Sequence, residues 1–347
     1  MSPQQAHIIT ESAWKDGLEH RDVETFRNMG SRGTWRRNVW RDILLKTKVP
    51  MLMNALSRIS APFQIPGERI EDGELAVLYP HALFSYMYHN HREEFDRRMC
   101  GGDRANVSKF WDSMSEHPAY DSHPMLTHPR FNFHEYGVAY GVHGDGVTTL
   151  GCGKVWARSA ECISWASCLA TSNASWVQNF VIALVFKLLL VDGETGATMQ
   201  VLWQHICWSL YWLYQGVHPD RGPDGALYTD ADGVKYTKRL TPLAGGYFGV
   251  FWVLKCDLEW SRVLGMANYK SGAAGPCNLC RANDSTCPWT DCRAGLATWL
   301  RAMWTGEAYN AAHPRRHIVF RYVPGVTIHC YVPDILHCKR IGSDAYF

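Results

Sequence analysis

Two aspartates and a set of cysteines are the residues whose types and surroundings could do chemistry. Asp145 lies in "YGVHGDGVTTLG", flanked by Gly144 and Gly146, where a short apolar stretch ends. Asp257 closes the apolar run in "YFGVFWVLKCDLEW". Side chains at the ends of buried strands meet at one edge of a sheet, where loops leave a cleft. Two carboxylates brought together there repel unless a cation lies between them. Oxygen-only ligands suit Mg²⁺ or Mn²⁺. Two such ions can activate a water or hydroxyl and stabilise the leaving oxygen in phosphodiester chemistry. The same residues also admit a plainer role as strand-end turn residues, one of them capping a helix.

The cysteines point to a different metal. "GPCNLC" sets Cys277 and Cys280 at knuckle spacing behind Gly275 and Pro276, and Cys287 and Cys292 follow. Four thiolates, or two with histidines from elsewhere, make a tetrahedral zinc site. Such a cluster closes its own coordination shell, which favours a structural role. The spacing from Cys287 to Cys292 is looser than the usual gap. Cys162, Cys168 and Cys207 sit in apolar, Trp-rich segments and read as packing residues. In "VPDILHCKRIG", Asp334 reads as a helix N-cap and His337 would share its face. The pair is either a cap or a metal or phosphate contact. His123 and His128, in the Pro- and His-rich connector "HPAYDSHPMLTHPRFNFH", read as loop histidines.

The elements that must position these groups follow from the apolar pattern. The chain of 347 residues is 46% hydrophobic with 15 tryptophans, enough for one large or two ordinary domains with real cores. A net charge of +2 gives no general case for nucleic acid. The longest apolar run, "FVIALVFKLLLV", is shorter than the ~20 residues of a membrane span and is interrupted by Lys187. It predicts a buried helix or strand, and no membrane partner. The polar opening residues carry no signal-peptide pattern.

Residues 1–75 read as a helical, basic region that Pro50, Pro62 and Pro66 break into a loop running to Gly73. "PHALFSYMYHNHREEFDRRMCG" reads as one helix, Pro80 to Gly101, opening a lead-in over 76–135. Strands are expected over Val138–Val147 and Gly153–Trp165, with a turn at Thr148–Cys152. The helical period of Met199, Leu202, Trp203, Ile206, Leu210, Leu213 and Tyr214 predicts a helix that Gly216 stops. Tyr247–Trp260 reads as a strand buried on both faces. "RHIVFRYVPGVTIHCYV" reads as strand-like.

The order "HGDG", "YFGVFWVLKCDLEWSRVLGM", "GPCNLC", "VPDILH" resembles the transposases of CACTA (En/Spm-like) DNA transposons, in particular divergent dinoflagellate-type transposase-like proteins. The resemblance spans roughly residues 75–347; each motif is short, so its weight lies in order and spacing. It implies an RNase H-like fold, a mixed sheet flanked by helices, over 136–275, with a zinc-knuckle insertion over 276–347. It also implies DDE-type polynucleotidyl transfer with two Mg²⁺ (or Mn²⁺) ions, transposon-end DNA as partner, a nuclear location, and assembly as a homo-oligomer. Residue by residue, Asp145 matches the first acid and Asp257 the second. Cys277 and Cys280 match the family's Cys pair, and Asp334 and His337 its Asp-x-x-His. Cys287 and Cys292 lie outside the shared pattern. Arg315, Arg316 and Lys339 are candidate phosphate contacts, or members of a solvated face. The family's glutamate lies beyond the Asp-x-x-His, whereas the residues after His337 contain no Glu. The expectation is therefore a truncated or decayed copy, with Asp334, Glu161, Glu194 or Glu259 as replacement third acids. A different class stays open: a zinc-stabilised, non-catalytic module that binds nucleic acid or another partner.

Overall fold

The computed structural model describes residues 12, 14–17, 56–65, 69–130, 132–150, 158–171, 178–256, 258–266, 277–282, 286–288, 290–291, 293, 295–314 and 317–333. The chain divides after Leu56 into two compact units. Most of the expected basic helix falls in the first unit and lies outside the described residues. Within the second unit the expected loop before Gly73 is instead a two-stranded sheet, β1 (Leu56–Ile65) and β2 (Arg69–Leu78). Alternating apolar positions in β1 bury Ile59, Ala61 and Phe63, a period-2 pattern that outweighs the local proline. The boundary expected at residue 75 therefore falls inside a strand.

Three helices follow: α1 (Pro80–Asn90), α2 (Arg92–Met99) and α3 (Ala105–Ser113). The single helix expected over the first two breaks at His91, whose φ of −144° is not helical. A short turn, α4 (Phe133–Tyr136), leads into the main sheet.

That sheet has five strands: β3 (Gly137–Leu150), β4 (Arg158–Ser167), β5 (Phe180–Phe186), β6 (Phe248–Cys256) and β7 (Tyr331–Pro333). Their order is β5-β4-β3-β6-β7. β3 pairs antiparallel with β4 and parallel with β6; β4–β5 is antiparallel and β6–β7 parallel. The sheet is thus mixed: a meander of three strands, continued on the far side of its first strand by two parallel ones. The parallel step from β5 to β6 needs a long crossover, and α5 (Ala197–Gln215) provides it.

Near-continuous apolar runs in β3 and β6 match burial on both faces. Val138, Ala139, Tyr140 and Val142 are all 1% exposed or less. On one face α5 packs so closely that a Cβ on Gly249 would lie 2.6 Å from Leu213. On the other, Trp111 of α3 meets Trp252 edge-on at 5.1 Å and donates from Nε1 to the Gly137 carbonyl at 2.7 Å. Helices therefore flank both faces. β5 is an edge strand, and its outward Val181, Leu184 and Phe186 are 43–47% exposed rather than buried as the apolar run suggested.

Beyond α5, a loop carries α6 (Val234–Lys238). α7 (Leu258–Val263) begins just after β6, and α8 (Gly306–Ala312) and α9 (Val319–Tyr322) precede β7. The segment expected as a strand from Arg316 is mostly not one. Val319 and Phe320 are buried as part of α9, and only Tyr331–Pro333 finds a strand partner. Among the described residues no helix is long and apolar enough to cross a membrane.

Candidate functional site at the carboxyl edge of the sheet

Asp145 is not in a turn. β3 continues through the Gly-Asp-Gly to Leu150, and Asp145 sits directly opposite Cys162 of β4. On its other side β3 follows β6 in parallel until Gly144 faces Cys256. Asp145 is thus one residue beyond the last described β3–β6 pair, at the carboxyl edge of two parallel strands. In open α/β sheets ligands gather at that edge. Asp257 follows Cys256 in the sequence and lies outside the described residues, as do Cys292, Arg315, Arg316, Asp334, His337 and Lys339.

The structure explains both glycines. A Cβ on Gly144 would stand 1.8 Å from the Trp260 indole, which therefore packs directly on the strand backbone. A Cβ on Gly146 would stand 3.1 Å from the Lys187 ammonium. Successive strand residues point to opposite faces, so Trp260 and Lys187 press on one face and the half-buried Asp145 occupies the other. Directly opposed residues share a face, which places Cys162 beside Asp145. Burial pushes the Cys162 thiol up, and the Asp145 and Glu161 carboxylates add to it.

Glu161 pairs with Gly146 and so belongs to the Lys187 face. Lys187 Nζ lies 2.7 Å from Glu161 Oε1 and 2.5 Å from Glu194 Oε1. Glu161 is 2% exposed, and its Oε2 has no hydrogen-bond partner among the described residues. Burial raises the Glu161 carboxyl against the pull of Lys187, and Glu194 adds to the rise. Burial alone would lower Lys187, but the two carboxylates outweigh it and hold the amine charged. The replacement acids Glu161 and Glu194 are therefore bound to a lysine on the face opposite Asp145. The side chain of Glu259 lies outside the described residues.

Around the expected knuckle, the described residues make local hydrogen bonds. The Leu279 amide donates to Cys277 Sγ at 3.3 Å. Residues 279–281 pair with the segment before α8: Trp304 N–H donates to Leu279 O and Arg281 N–H to Ala302 O, both at 2.9 Å. Cys280 is pushed up to about 11 by burial first, then by its hydrogen bond with Cys277, with Cys287 contributing. Even so, among the described residues no three His, Cys, Asp or Glu side chains form a group that could hold a metal ion.

The connector histidines are committed to the backbone. His123 Nδ1 accepts from the Met125 amide at 3.0 Å, and its Nε2–H donates to Phe251 O at 3.3 Å. His128 Nε2–H donates to Tyr214 O at 3.0 Å. Lys187 and Trp260 were not legible as site residues. The one signal was the charge of Lys187 inside an otherwise apolar run. Compared with family models, with curated proteins and with solved structures, the chain finds no match.

Proposed function

We propose that residues 136–275 form a transposase-derived polynucleotidyl transferase core of RNase H-like type, acting on DNA in the nucleus. The position of Asp145 carries this reading: it stands on the central strand, at the carboxyl edge of the β3–β6 pair, one residue past Gly144–Cys256. The three-strand meander extended by two parallel strands is consistent with that core. Asp145 lies on β3, and Cys256, the residue before Asp257 in the sequence, ends the neighbouring parallel strand β6.

In this reading Asp145 and Asp257 hold Mg²⁺ or Mn²⁺ through oxygen, as hard cations require. The ions, when bound, supply the charge stabilisation for in-line attack at a phosphodiester. Trp260 on Gly144 and Lys187 on Gly146 hold the strand straight, so that the Asp145 carboxylate keeps its face. Cys277, Cys280, Cys287 and Cys292 fit a structural zinc site by donor chemistry, with the amide-to-sulfur bond at Cys277 already in place.

A second reading rests on the third acid. Glu161 and Glu194, two of the candidates for it, are held by Lys187. The same fold could then bind DNA without cutting it. One assay separates the two: nicking of supercoiled DNA in Mg²⁺ or Mn²⁺ by wild type, Asp145→Asn and Asp257→Asn. Metal-dependent nicking lost in both variants is expected of the enzyme. Equal cutting by all three ends the catalytic assignment, and DNA binding without cutting by wild type selects the second reading.

A further inference from the structure

A groove of about 1290 Å³ runs along the outer side of α5. One end is lined by Glu194, whose partner Lys187 lies over Gly146, on the face of β3 opposite Asp145. From Gln200 to Tyr211 the helix carries it roughly 17 Å, at ~1.5 Å per residue. Its floor presents the half-buried Trp208 and the 39% exposed Tyr211. Across from them stands Tyr322, 61% exposed, with the Arg321 guanidinium 5.7 Å from its ring centroid. Arg221 lines the other wall.

The charges in this groove are unbalanced. Glu194 shares Lys187 with Glu161, and Arg221 pairs with Asp220 at 2.7 Å. Arg321 pairs with no carboxylate among the described residues. Burial, with Arg321 adding to it, pulls His317 down to about 4, so it enters as a neutral ring. At the end of the groove away from Glu194 stands a row of accessible aromatic faces beside the Arg321 guanidinium. Aromatic platforms beside a cation are how proteins hold unpaired bases, since every base offers a π-face and every link a phosphate.

Resting on the polynucleotide reading above, we infer that this groove binds the unpaired bases of a single DNA strand passing along the α5 side of the sheet. Tyr211 and Tyr322 stack bases and Arg321 meets a phosphate. A paired duplex has no free base faces to offer these rings.

The test is fluorescence anisotropy of a labelled oligothymidine, alone and annealed, with wild type and with Tyr211→Ala, Tyr322→Ala and Arg321→Ala. These side chains are exposed, so the variants keep the fold. The single strand is expected to bind more tightly than the duplex. Each tyrosine variant should weaken it about fivefold or more, since one stacked base is worth ~1–3 kcal/mol. Arg321→Ala should lower the salt slope by about 0.7. Variants that bind the single strand like wild type, or a duplex bound equally well, overturn the inference. Asp145→Asn should keep single-strand binding, so loss of nicking in that variant beside unaltered groove variants would sink the groove and leave the enzyme standing. Weakened groove variants without any metal-dependent cutting would keep the groove and remove the catalysis.

Discussion

Replacing Lys187 by Met tests the buried ion pair on which the site rests. The substitution keeps the length of the side chain and removes its charge. Glu161, 2% exposed, would lose the ammonium 2.7 Å away while Glu194 stays near. Removing one partner of a buried pair costs about 3–5 kcal/mol, because the other charge is left uncompensated. Against a domain stability of about 5–15 kcal/mol, that is a large share. With a urea slope of about 2–3 kcal/mol/M, the unfolding midpoint at pH 8 should drop by about 1–2 M. The sign of the pH dependence follows from Glu161. Its carboxyl is already raised in the folded protein and rises further without Lys187. The folded variant then binds a proton that the unfolded chain releases, so its stability increases as pH falls from that raised value toward the ordinary carboxyl range. The deficit at pH 8 should shrink by more than half at pH 5. Lys187→Met with Glu161→Gln should be close to wild type, since no buried charge remains. An equal deficit at both pH values, or a double variant as weak as the single one, would refute the reasoning.

Gly144→Ala should cost about 1–3 kcal/mol or more by overpacking against Trp260, whereas Gly146→Ala meets only the movable end of Lys187; thermal unfolding of both should rank them so. His123, held down at about 4 by burial against an ordinary 6.5, is neutral when folded and should cost roughly 2 kcal/mol of stability by pH 5. That loss sets in as pH falls below 6.5 and ends near 4, and His123→Gln should flatten the curve; an unchanged curve removes the assignment. Elemental analysis after dialysis should find about one zinc per chain, falling in Cys277→Ser, and less than about half an equivalent in wild type would remove the knuckle.

What was local was legible. The apolar period of α5, its stop at Gly216 with φ of +66°, and the buried runs of β3 and β6 all follow from neighbours a few residues apart. So did the placing of Asp145 on an apolar strand. The expected strand after Arg316 failed because extended structure needs a partner, and α9 packs its buried residues instead. Why both neighbours of Asp145 are glycines could not be read locally either, since Trp260 and Lys187, which press on them, come from distant elements.

The sequence by itself determined which segments could be buried and where its acids and thiols stood along the chain, because hydrophobic period and residue chemistry are properties of short windows. Only the tertiary structure decided that β3 lies between β4 and β6, and that Glu161 turns away from Asp145. It also made the lysine interrupting an apolar run the counter-ion of two carboxylates. Strand neighbours and faces are set by pairing across the sheet, and shifting a pairing by one residue reverses every face.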